Sequence, residues 1–181
     1  MKEQPFYCVL TGAMGAGKST VINRLAQKGF ICVHEPAREI LAEQRSIDAD
    51  GVPEKDAGLF TRLMLSRAVN NYKRNSESTR PVIFDRAIPD IIAYACLFEL
   101  DTKIYYNAGR YYKYNGTVFL FEGWEEIYTN DDERKMGFEP ANKFGNNVKH
   151  VYNELGYNTV VVPKVSIEER IKFIADKIGR T

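Results

Sequence analysis

Three features of the sequence predict an α/β fold on a doubly wound, five-stranded parallel sheet. Strand-like and helix-like runs alternate along the whole chain. The strands are apolar on both faces, and the first of them runs directly into a glycine-rich segment that opens a helix. Strands buried on both faces suit a parallel sheet covered by helices on either side. Right-handed crossovers then give the doubly wound arrangement.

The predicted strands are Phe6–Thr11, Phe30–His34, Val82–Asp85, Thr117–Phe121 and Thr159–Val162, each short and rich in Val, Ile, Phe or Tyr. Helical patterns fall between them. Ser19–Lys28 places Val21, Ile22, Leu25 and Ala26 on one face, and Gly29 stops it. Ala37–Gln44, Asp56–Arg74, Asp90–Phe98 and Thr102–Tyr112 follow, and Pro140–Leu155 is interrupted by Gly145 and two asparagines. In the last helix Ser166 and Glu169 form a capping box ahead of Ile167, Ile171, Ile174 and Ile178. Two stretches read as loops: Arg45–Glu54, and the charge-dense Gly123–Gly137. The tyrosine-rich segment Tyr105–Tyr114 reads as a helix face packed on the sheet.

At 181 residues the chain is sized for one domain over 1–181, given roughly 150 residues per domain. A hydrophobic fraction of 44% with 27% charged residues excludes a disordered or collagen-like chain. Lys plus Arg is 25 and Asp plus Glu is 24, a net charge of +1, so no whole-protein attraction draws it to nucleic acid or anionic membrane. No apolar run approaches the ~20 residues of a membrane span, and none has the form of a signal peptide. Cys8, Cys32 and Cys96 lack Cys-x-x-Cys spacing and sit in apolar surroundings. They read as free, buried thiols, which makes a reducing cytoplasm the expected location.

Gly12, Ala13, Met14, Gly15, Ala16, Gly17, Lys18 and Ser19, followed by Thr20, satisfy G-x-x-x-x-G-K-[ST] with a strand before and a helix after. The glycines let backbone N–H groups converge on phosphate oxygens, and the new helix adds its positive end. Lys18 supplies a point charge and Ser19 a hydroxyl ligand for Mg²⁺. The expected ligand is ATP, with GTP as the alternative, together with Mg²⁺.

In a doubly wound sheet ligands sit at the carboxyl ends of the strands. Asp85 ends the third strand and is expected on Mg²⁺ with Ser19. Glu35 ends the second and is expected to take the proton of an acceptor hydroxyl. Arg38, Arg86 and Asp90 are assigned to the acceptor beside Glu35. Arg86 and Arg134 are assigned to the charge of the transferring phosphoryl group, with Lys135 in the same charged loop. His34 points to the opposite face of its strand and reads as packed, and His150 carries no assignment.

These residues resemble a known family. The glycine-rich loop, His34-Glu35-Pro36-Ala37-Arg38-Glu39, Phe84-Asp85-Arg86-Ala87-Ile88-Pro89-Asp90 and the segment Trp124 to Arg134 are similar to the AAA-like ATPase family. That family includes the nicotinamide riboside kinase domain of NadR and shares the P-loop NTPase fold of nucleoside kinases. The resemblance implies a sheet ordered 2-3-1-4-5, a lid loop after the fourth strand and ATP-dependent phosphoryl transfer. Two functions are therefore expected. One is Mg²⁺-dependent transfer to a small, nucleoside- or riboside-like hydroxyl acceptor. The other is an ATP- or GTP-binding NTPase module without such an acceptor, acting through a partner or lipid.

Overall fold

The computed structural model describes residues 4–129 and 136–179. Five strands, β1 (Tyr7–Gly12), β2 (Ile31–Val33), β3 (Val82–Asp85), β4 (Thr117–Phe121) and β5 (Asn158–Val161), form one sheet in the order β2-β3-β1-β4-β5. Every pairing is parallel, with Leu10 opposite both Asp85 and Phe119. The helices are α1 (Lys18–Gln27), α2 (Ala37–Ser46), α3 (Pro53–Arg74), α4 (Ile88–Leu97), α5 (Lys103–Tyr111), α6 (Phe138–Glu154) and α7 (Ile167–Ile178).

The period-2 geometry of the strands divides the core in two. Tyr7, Val9, Val82, Phe84 and Val118 face α3, α4 and α6 through Phe60, Met64, Ile92, Val148 and Tyr152. Cys8, Leu10, Ile83, Phe119 and Phe121 face α1 and α7 through Val21, Ile22, Leu25, Ile171 and Ile174. Both sheet faces are covered, which is why the strands read as continuous apolar runs.

The boundaries shift where local chemistry is stronger than periodicity. α2 continues to Ser46, and α3 begins at Pro53, so the expected Arg45–Glu54 loop shrinks to 47–52. Within α3, Asp56 leaves helical geometry (φ −141°, ψ 90°), and its Oδ1 accepts from the Leu59 N–H at 2.7 Å. The helix start expected at Asp56 is thus a capped kink inside a longer element. α6 runs unbroken through Gly145, because the helix passes there against the loop after β1: a Cβ on Gly145 would lie 2.9 Å from Ala13 Cα.

In the tyrosine-rich segment Tyr105 and Tyr114 are buried, but Tyr111 is 68% exposed. Tyr114 joins Tyr7, Tyr72 and Phe84 in an aromatic cluster under the sheet. Its phenols are paired, the Tyr7 hydroxyl donating to the Tyr72 carbonyl at 2.6 Å. The cysteines are free, but only Cys8 is buried; Cys32 is half-buried and Cys96 is exposed. His34, expected to be packed, is exposed as well, since β2 is an edge strand that ends at Val33. No helix among the described residues is long and apolar enough to cross a membrane.

Candidate active site

The glycine-rich loop turns from β1 into α1 through three left-handed glycines, Gly12 (φ 117°), Gly15 (72°) and Gly17 (83°). At Gly12 a Cβ would strike the Phe121 carbonyl on β4, so the position needs glycine for space as well as for φ. Distant residues hold the loop. The Ala13 N–H donates to the Phe121 carbonyl at 2.8 Å, and Arg86 Nη1 donates to the Gly12 carbonyl at 3.0 Å. α1 has neither a side-chain cap nor an acidic residue in its first turn, which leaves its positive end to a ligand.

Lys18 is buried, its Nζ donating to the Ala13 carbonyl at 2.5 Å. Burial pushes its ammonium down to about 7, helped by the nearby Arg86. Asp85, also buried, lies at the C-terminal end of β3, and its Oδ1 has no hydrogen-bond partner. Burial, followed by the charge of Glu35, pushes its carboxyl up to about 6. An oxygen kept out of water without a donor suits a hard cation.

Arg86 carries the next layer. Its backbone is left-handed (φ 63°), which turns the side chain back beneath the loop. Nη1 lies 2.9 Å from Asp90 Oδ1, and Nε lies 3.1 Å from Glu35 Oε1 as an ion pair. Burial alone would lower the guanidinium pKa; Glu35 first, then Tyr94, Asp90 and Asp85, hold it well above its usual value instead. The Tyr94 hydroxyl donates to Glu35 Oε1 at 3.4 Å. Burial and then Glu35 raise the pKa of this phenol, so it stays a donor.

Asp90 does not line the cavity that Lys18, Asp85 and Glu35 share. It is fully buried, and four donors converge on it: the Thr11 hydroxyl (2.6 Å), Arg86 Nη1 (2.9 Å), the Ala87 N–H (2.9 Å) and the Tyr152 hydroxyl (2.7 Å). The acceptor role expected for it is corrected to an internal support for Arg86. Arg86 pairs with Glu35, Asp90 and the Gly12 carbonyl, and it also lines the cavity that Lys18 and Asp85 line.

One cavity of about 830 Å³ joins these groups. On one side of Lys18 and Asp85 it is lined by Glu35, Arg38, Phe60, Tyr94 and Phe98, and on the other by Trp124, Ile127, Val165 and Arg170. Met14, Gly15, Gly17, Ser19 and Thr20 open onto it, whereas Gly12, Ala13 and Ala16 are buried behind the loop. Arg134 and Lys135 lie outside the described residues.

Tyr94 and Arg170 are cavity residues that the sequence does not single out. Tyr94 lies inside an apolar helix and reads as core. Arg170 carries a signal that was available: it falls on the stripe formed by Ile167, Ile171 and Ile174, an arginine on the buried side of an amphipathic helix.

The fold has solved counterparts. The deoxyadenosine kinase from M. mycoides, with the products dCMP and dCDP bound, is 19% identical with a TM-score of 0.70, over 97% of this chain and 100% of that one. The same kinase with dATP gives 18% identity and a TM-score of 0.69, over 96% and 99%. NadR in complex with NR is 17% identical with a TM-score of 0.70, over 96% of this chain but 51% of NadR. These likenesses establish a shared fold. No curated protein matches the sequence. The family model described as "AAA domain" matches residues 7–170, nearly the whole β1-to-α7 unit that builds the cavity, and the chain belongs to that AAA domain family.

Proposed function

We propose that the protein is a kinase that transfers the γ-phosphoryl group of ATP to the hydroxyl of a nucleoside- or riboside-like acceptor. The observation that carries this reading is Glu35. Its carboxylate lines the same cavity as the phosphate loop, is held by Arg86 and Tyr94, and borders the aromatic walls of Phe60 and Phe98. A water-activating site has no need of aromatic walls; a flat, partly apolar acceptor does. The deoxyadenosine kinase of like fold, and NadR with NR bound, support the same class of acceptor.

In this reading the acceptor oxygen attacks the γ-phosphorus as its proton passes to Glu35. The bond from the γ-phosphorus to the bridging oxygen breaks, and ADP leaves. Lys18 leaves the Ala13 carbonyl for the β- and γ-phosphates. The Asp85 carboxylate and the Ser19 hydroxyl are hard oxygen donors that fit Mg²⁺, which when bound supplies charge neutralisation at the phosphates. Arg86 and Asp90 keep Glu35 in place. Arg38, exposed at the rim, is proposed to contact the acceptor, and Arg134 to cover the donor from the charged loop. A single catalytic domain over 1–181 acts in the cytoplasm.

The test is a phosphoryl-transfer screen with labelled ATP and GTP against nucleosides, nicotinamide riboside and simple sugars. At least one nucleoside or riboside should become labelled in a Mg²⁺-dependent way. A panel in which only water accepts the phosphoryl group would overturn the reading.

A further inference from the structure

We propose that the acceptor half of the cavity reads the sugar of its substrate and not the hydrogen-bonding edge of the base, so that ribosides whose bases share a ring size but differ at the edge are phosphorylated at comparable rates. This inference rests on the kinase reading above and specifies its acceptor class.

The polar groups on the acceptor side gather at one end. Glu35 Oε1 lies 3.1 Å from Arg86 Nε and accepts from the Tyr94 hydroxyl at 3.4 Å, and Arg38 is exposed at the rim. A carboxylate, a guanidinium and a phenol so close together suit the hydroxyls of a sugar. The other side chains that line this half are Ala37, Leu41, Pro53, Phe60, Leu97 and Phe98. None of them can donate or accept a hydrogen bond.

These apolar side chains come from α2, α3 and the end of α4. Phe60 is buried, and the Phe98 ring lies 6.2 Å from the Tyr94 ring at an angle of 25°, so α4 presents two nearly parallel plates. Such a wall holds an aromatic base by its face, which every base has. A base edge pressed against it would lose its water and gain no partner. The base therefore lies with its face on the wall and its edge toward solvent past Leu97, which is 41% exposed.

Specificity follows from that placement. A site that hydrogen-bonds a substrate group rejects the analogue lacking it by about 10⁴–10⁵-fold, because its own buried polar group is left unpaired. The apolar wall has no such group to strand, so it rejects neither of two bases that differ only at the edge.

The test measures kcat/KM for Mg·ATP-dependent phosphorylation of adenosine, inosine, cytidine, uridine, nicotinamide riboside and free ribose by the wild-type protein. Adenosine and cytidine carry an exocyclic donor where inosine and uridine carry an acceptor, at unchanged ring size. Within each pair the values should agree to within about tenfold, and the nucleosides that react should exceed free ribose by more than about tenfold. Phe98→Ala should lower both members of a reacting pair by the same factor, about tenfold. A ratio above about tenfold within either pair would overturn the proposal. So would free ribose reacting as well as the nucleosides, nicotinamide riboside reacting alone, or a Phe98→Ala loss confined to one base. The wild-type comparison decides the matter even where that variant fails to fold. A panel in which none of these compounds is labelled would refute the kinase reading itself, a failure distinct from the others.

Discussion

Arg86 and Asp90 form an ion pair of 2.9 Å with both side chains buried, four residues apart across the start of α4. The pair is tolerated because each charge is satisfied further: Asp90 by Thr11, Ala87 and Tyr152, and Arg86 by the Gly12 carbonyl and Glu35. It ties β1, α4 and α6 to the strand end that carries Glu35.

Removing one member should be severe. Asp90→Ala removes the carboxylate 2.9 Å from the buried Arg86 guanidinium and is expected to cost about 3–5 kcal/mol of stability, measured by urea unfolding. Tyr152→Phe deletes a single bond to the same carboxylate and should cost about 1 kcal/mol. Similar losses for the two variants would mean that packing, not charge, dominates the cluster.

Lys18→Ala is expected to abolish Mg·ATP binding while leaving the melting temperature unchanged or raised. Burial outweighs the nearby carboxylates in its effect on the ammonium, whose hydrogen bond among the described residues is to the Ala13 carbonyl, so its removal relieves a desolvated charge. Calorimetry and thermal unfolding on the same sample decide the matter.

Asp85→Asn keeps shape and removes charge. Turnover should demand more Mg²⁺, seen as a rightward shift of the metal titration, with little change in fold because Oδ1 makes no internal hydrogen bond. An unchanged metal titration would assign Asp85 a structural role.

Glu35→Gln should leave Mg·ATP affinity nearly intact and lower transfer to the acceptor by about 10²–10⁴-fold, with background hydrolysis falling less. Tyr94→Phe removes only a long, 3.4 Å contact to Glu35 and should lower the rate by less than about tenfold. If Glu35→Gln phosphorylates the acceptor at the wild-type rate, the base lies elsewhere.

Gly12→Ala combines a left-handed φ of 117° with a clash against the Phe121 carbonyl. It should disrupt the β1–β4 junction and lose both stability and triphosphate binding, read by circular dichroism and calorimetry.

The sheet and the phosphate loop were legible because each rests on local pattern: apolar runs, and glycines beside Lys18 and Ser19. Glu35 and Asp85 were legible because strand ends converge in this architecture. What stayed hidden depends on distant neighbours. Asp90 reads as an acceptor-binding acid until Thr11 and Tyr152 are placed against it. Gly145 reads as a helix interruption until its approach to Ala13 is seen, where close packing outweighs the roughly 0.5–1 kcal/mol that glycine costs a helix. His34 reads as packed because a short edge strand looks like a central one in sequence.

The supports of the phosphate loop come from far along the chain: Arg86, Phe121, Gly145 and Arg170. A nascent chain emerging from the ribosome therefore carries the whole glycine-rich motif long before it carries anything to shape it. Such late, non-local closure slows assembly. A fragment ending before Gly145 would keep the motif's letters without the helix that packs on Ala13.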